Sequence, residues 1–71
     1  MTERQTGTKD VTYNLISVAY HALQGAETNS IYLQDAEKRG DTEIADFFRS
    51  VIDEDRRRAD RAKELLKQRM R

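Results

Sequence analysis

Cysteine and proline are absent from this 71-residue chain, which has one histidine, three glycines and 7% aromatic residues. Without Cys there is no disulfide staple, no cysteine-ligated zinc and no thiol nucleophile. The longest uninterrupted apolar run is two or three residues, far short of the ~20 needed to cross a bilayer, and no signal-peptide apolar region follows Met1. A cytoplasmic protein without a membrane partner is therefore expected. No glycine-rich phosphate loop, Ser/His/Asp set or zinc-ligand spacing occurs, so hydrolase and NTPase chemistry have no support.

What is present is charge: 13 basic and 13 acidic side chains, 37% of the chain, cancel to zero. A neutral total argues against a generic polyanion binder. So short a chain holds one small domain and buries only a modest share of its surface. Lacking disulfides, it needs unusually good helix packing or a partner subunit.

Residues 1 to 9 have no apolar residue after Met1 and no periodicity, which predicts a disordered tail. Asp10 is a suitable N-cap. After it, one apolar row runs through Leu15, Ala19, Ala22, Ala26 and Leu33, and a parallel row through Ile16, Tyr20, Leu23, Glu27 and Ile31. Spacings of three and four describe a helix over about 11–38. At Lys38-Arg39-Gly40-Asp41 the basic residues suit a helix C-terminus, Gly the left-handed position after it, and Asp41 the next N-cap. A second helix over about 42–70 follows, carrying Ile44, Phe47, Phe48, Val51, Ile52, Asp55, Ala59, Ala62, Leu65 and Leu66. Equal helices joined by a turn at 39–41 predict an antiparallel all-α hairpin. Its apolar stripes are too wide for one partner helix, so a homodimeric four-helix bundle, or a higher homo-oligomer, is expected.

Two carboxylates interrupt these stripes. Glu27 stands four residues from both Leu23 and Ile31, and Asp55 four from both Val51 and Ala59. A turn at Gly40 brings them to similar height, so both are expected inside, with four carboxylates per dimer. Buried acids need a cation, a shared proton or hydrogen-bond donors.

The segments Glu27 to Tyr32 and Asp53 to Ala59 resemble the metal-ligand helices of the ferritin-like superfamily, in particular the rubrerythrins and encapsulated ferritins. The likeness covers roughly residues 15 to 66. The family pattern pairs a Glu and a nearby aromatic on the first helix with Glu-x-x-His-Ala on the second. Glu27, Tyr32, Asp55 and Ala59 match it, while Arg58 stands in place of the His. The resemblance implies a ferritin-like four-helix bundle formed by dimerisation, and iron or manganese held by Glu27 and Asp55, with Glu54 and His21 as outer candidates. It also implies that a larger protein compartment could enclose the assembly.

Arg58 changes that expectation, because a guanidinium has no lone pair for a metal and lies three residues after Asp55. The preferred reading is a non-catalytic structural or binding module in which Glu27, Asp55 and Arg58 form a buried ionic cluster without a cofactor. Arg58 could equally pair with Glu54, four residues away. The alternative is iron or manganese binding or oxidation at a dimer-shared site. Tyr20 and Tyr32 are candidates to hydrogen-bond a buried carboxylate, and Gly25, beside Ala22 and Ala26, allows close approach of a neighbour.

The neutral total is also uneven. From Arg56 to Arg71 there are eight basic and two acidic residues. A solvated helix end accounts for them. The third reading makes Arg61, Lys67, Arg69 and Arg71 a docking surface for nucleic acid or an acidic protein.

Overall fold

The computed structural model describes residues 10 to 70; the tail expected over 1–9 lies outside the described residues. Two helices, α1 (Val11–Lys38) and α2 (Thr42–Arg69), of 28 residues each, pack against one another as a hairpin. At 1.5 Å per residue each is about 42 Å long.

Local chemistry sets the ends. Asp10 caps α1, its Oδ1 accepting from the backbone N–H of Thr12 at 3.0 Å and of Tyr13 at 3.2 Å. The last turn of α1 closes with the N–H of Gly40 donating to the Glu37 carbonyl and that of Asp41 to the Ala36 carbonyl, both at 3.0 Å. This double closure requires a left-handed residue after the helix, and Gly40 supplies it at φ +72°. Asp41 then caps α2 through the Ile44 N–H at 3.2 Å. Beside the turn, Arg49 ties the helices together, donating to Glu37 at 2.8 Å and to Asp46 at 2.6 Å.

Small side chains form the seam. The buried apolar residues are Ala19, Ala22, Ala26 and Ala36 on α1, and Ala45, Ile52, Ala59 and Ala62 on α2. Leu15, Leu33, Phe48 and Leu66, on the same rows, are half-buried. Methyl groups let two helix backbones come close, and interaxial distance follows the side chains between them. The consequence is an inverted distribution: alanine lies inside, while Phe47 (62% exposed), Tyr20 (59%) and Ile31 (58%) point outward.

The row Leu15, Ala19, Ala22, Ala26 and Leu33 therefore faces α2, and the parallel row Ile16, Tyr20, Leu23, Glu27 and Ile31 does not. Among the described residues, no helix is long and apolar enough to cross a membrane.

Ala59 is fully buried at mid-seam. Ala59→Leu should destabilise the protein by about 1–3 kcal/mol through overpacking, read from urea unfolding. An unchanged midpoint would show a seam loose enough to absorb three more carbons.

Candidate functional site

The one buried charged residue among those described is Asp55, 9% exposed and close to the middle of α2. Its row, Ala45, Ile52, Asp55, Ala59 and Ala62, is the face of α2 that meets α1. Opposite it lies Gly25, close to the middle of α1. A Cβ built on Gly25 would stand 3.0 Å from Asp55 Oδ2, so the missing side chain is the space that the carboxylate occupies.

Asp55 is not left alone. Arg58 Nη1 donates to Asp55 Oδ1 at 2.8 Å, one turn further along the same helix. Of the two acids within reach of Arg58, the buried one is chosen, while Arg57 pairs with Asp53 at 3.1 Å. The Asp55–Arg58 pair is lopsided: the carboxylate side chain is 13% exposed, the guanidinium side chain 53%. The charge is thus drawn from the seam to the surface. Next to it, Asn29 Nδ2 donates to the Gly25 carbonyl at 2.8 Å and Ser30 Oγ to the Ala26 carbonyl at 2.9 Å. No buried side-chain polar atom among the described residues lacks a partner.

Glu27 does not join this pair. It is exposed in the hairpin and borders a shallow groove with Tyr20, Leu23 and Gln24 on the outer flank of α1. The physical reason is its row: α1 carries two apolar rows, and the alanine row is the one that fits against α2. The cluster expected from Glu27, Asp55 and Arg58 is therefore, within one hairpin, Asp55 and Arg58 against Gly25. Glu54 is exposed beside Asp55 but on the outward side.

The two tyrosines are placed elsewhere as well. Tyr20 is exposed, and its hydroxyl accepts from Gln24 Nε2 at 3.4 Å. Tyr32 packs on Phe48 with ring centroids 5.6 Å apart, in a groove by the turn with Ile44. His21 is exposed, its Nδ1 lying 2.9 Å from the Ser17 carbonyl, with its ring edge-on to Tyr20.

This donor set does not fit iron or manganese within one hairpin. One Asp55 oxygen is engaged by a permanent cation with no lone pair, Glu27 lies on another flank, and His21 hydrogen-bonds its own helix. Among the described residues, no three His, Asp or Glu side chains converge. At the open end of the hairpin Arg61, Lys67 and Arg69 are exposed, with Arg69 Nη1 donating to the Leu65 carbonyl at 3.3 Å. Arg71 lies outside the described residues.

A surface feature that the two-row reading missed spans both helices. At 3.6 residues per turn, Val11, Val18, Gly25 and Tyr32 of α1 share the side of the hairpin occupied by Ile44, Phe47, Val51, Arg58 and Leu65 of α2. Two grooves mark it. One lies by the turn, lined by Tyr32, Ile44 and Phe48; the other lies at the open end, lined by Val11, Leu15, Val18 and Leu65. The Asp55–Arg58 pair sits between them. The heptad run Ile44, Phe47, Val51, Glu54, Arg58, Arg61, Leu65 is the signal that could have revealed it. The opposite side is unlike it: there α2 presents Arg49, Asp53, Arg56, Asp60, Lys63 and Lys67, a row made only of charged residues.

The chain matches no protein-family model, no curated protein and no solved structure.

The site yields a double-mutant test. Gly→Ala in a helix interior ordinarily gains about 0.8–1 kcal/mol. Gly25→Ala should forfeit that gain because the new methyl meets the Asp55 carboxylate, whereas adding Gly25→Ala to an Asp55→Ala background should recover it, measured by thermal unfolding. Equal effects in both backgrounds would separate the two residues. Arg58→Met should cost roughly 1–3 kcal/mol, the range for stranding a buried polar group. A change within about 0.5 kcal/mol would class the pair with ordinary surface substitutions.

Proposed function

We propose that the chain is a non-catalytic assembly module, a helical hairpin that pairs with a second copy to complete a ferritin-like four-helix bundle. The observation that carries this reading is the inverted packing. The helices spend their small residues on each other and leave Phe47, Ile44, Tyr32, Val18 and Val11 uncovered on a face that crosses both helices. A face of that kind is half of a bundle core, because a four-helix bundle buries two such faces against each other. Large uncovered apolar patches mark interaction sites on soluble proteins.

The face that crosses both helices is the bundle face. The row Ile16, Tyr20, Leu23 and Ile31 belongs to α1 alone and is flanked by the charged row of α2, so it is suited to a further contact in a higher homo-oligomer. In this reading Asp55 and Arg58 are structural: the guanidinium neutralises the carboxylate in the position where the resemblance calls for a metal.

Sedimentation at micromolar concentration should give a mass of at least twice the 8.3 kDa of one chain. Phe47→Glu, which places a charge on the bundle face, should return the protein to a monomer that keeps its helical signal. A wild-type monomer at all concentrations would remove the reading. Stoichiometric iron or manganese in protein purified without chelator, lost in Asp55→Ala, would replace it with the metal-binding alternative.

A further inference from the structure

We infer that the two copies run antiparallel along α2, so that Glu54 of each copy completes the Asp55–Arg58 site of the other; the inference rests on the dimer proposed above. Arg58 uses one nitrogen on Asp55, and its side chain is still 53% exposed on the bundle face. A guanidinium has five N–H donors, so on a face about to be covered it needs a second acceptor.

The arrangement of α2 supplies one. Its outward heptad run places Glu54 and Arg58 symmetrically about the level of Arg56, close to the middle of the helix. A two-fold axis perpendicular to the helices at that level sets Arg58 against the partner's Glu54 twice over. The same axis sets Phe47, the most exposed apolar residue of the bundle face, at the level of the partner's Leu65. That residue lines an open-end groove of about 410 Å³. The alternating layers of an antiparallel coiled coil have this pairing.

A two-fold axis parallel to the helices does worse on charge. Gly25 of α1 is level with Asp55 of α2, so that axis would bring α1 of the partner across α2 and set Arg58 against the partner's His21, with no carboxylate at that level. It would also stack like ends. Residues 35 to 49, around the turn, hold five acidic and three basic side chains, while the described open end, residues 10 to 19 and 61 to 70, holds four basic and two acidic. Antiparallel copies lay the acidic turn of one on the basic end of the other; parallel copies stack ends of the same net sign. Like charges juxtaposed across an interface disfavour that pairing, and complementary ones fix orientation.

The absence of Cys makes the orientation measurable with a single engineered thiol in the full-length chain. With Thr42→Cys carrying a spin label, the antiparallel dimer separates the two labels by roughly 42 Å, the rise of 28 helical residues. Glu54→Gln should weaken the dimer Kd by about thirtyfold or more, as when one partner of a buried charge pair is removed. Its helical signal should stay unchanged, because Glu54 is exposed in the single hairpin. Labels within about 20 Å in a stable dimer would overturn the antiparallel axis while leaving the dimer intact. A long label distance with an unchanged Glu54→Gln Kd would overturn the completed site. A monomeric wild-type chain would overturn the dimer and this inference together.

Discussion

The close approach of two alanine-lined helices governs everything else in this molecule. Methyl groups at Ala19, Ala22, Ala26, Ala45, Ala59 and Ala62 make up most of the seam, Ile52 is the one larger apolar side chain buried there among the described residues, and the other bulky ones lie half-buried at its edge or exposed on the flanks. Burial stabilises in proportion to the apolar area removed from water, about 25 cal/mol per Å², and alanine methyls remove little of it. A hairpin packed in this way is well fitted but thinly stabilised. Most of its hydrophobic potential stays on the surface, to be realised when something covers Phe47, Ile44 and Tyr32. The fold and the proposed assembly are thus parts of one constraint: what makes the seam tight leaves the large apolar side chains outside.

Into that seam one charge enters among the described residues, at the single place where α1 has no side chain at all. Gly25 and Asp55 fit as absence and presence, with a built Cβ only 3.0 Å from the carboxylate. Sliding the helices by one turn would bring Asp55 against Ala22 or Asn29, each with a Cβ in the way. An alanine seam by itself is nearly uniform along its length and tolerates several registers. The Gly25 notch and the Gly40 turn together leave one. Buried polar groups of this sort serve specificity better than they serve stability, since desolvation offsets much of what the ion pair returns.

The two helices, their ends and their turn could be read from local signals: Asp10 and Asp41 as caps, Gly40 after the last turn of α1, and three-and-four spacing between. The inward position of Asp55 also followed from its row, as did its reach to Arg58. Glu27 did not, and the reason is not local. Helix α1 carries two apolar rows, and the bulkier one, with Ile16, Tyr20, Leu23 and Ile31, is the natural candidate for a core if size is the guide. Which row faces α2 is decided by steric fit across the seam, a property of the pair of helices. Gly25 was visible as a place of close approach, but the side chain approaching it could be named only once both helices were set side by side. The same holds for the two-helix face, since each helix contributes only half of its pattern.

The uneven charge along the chain acquires meaning at this scale. The basic open end and the acidic turn lie about 42 Å apart, several times the ~8 Å Debye length at physiological ionic strength. Within one hairpin they scarcely feel each other, so the zero net charge of the chain describes no internal cancellation between its ends. Each end can be neutralised only by something brought alongside it. A copy running in the same direction offers each end its own sign; a copy running in the opposite direction offers each end the complement, within a few Å where screening is weak. A chain with a neutral total and opposite ends is therefore self-complementary in one orientation and self-repelling in the other, and the face that joins the ends, with an apolar groove at each, needs only to be covered for that difference to choose between them.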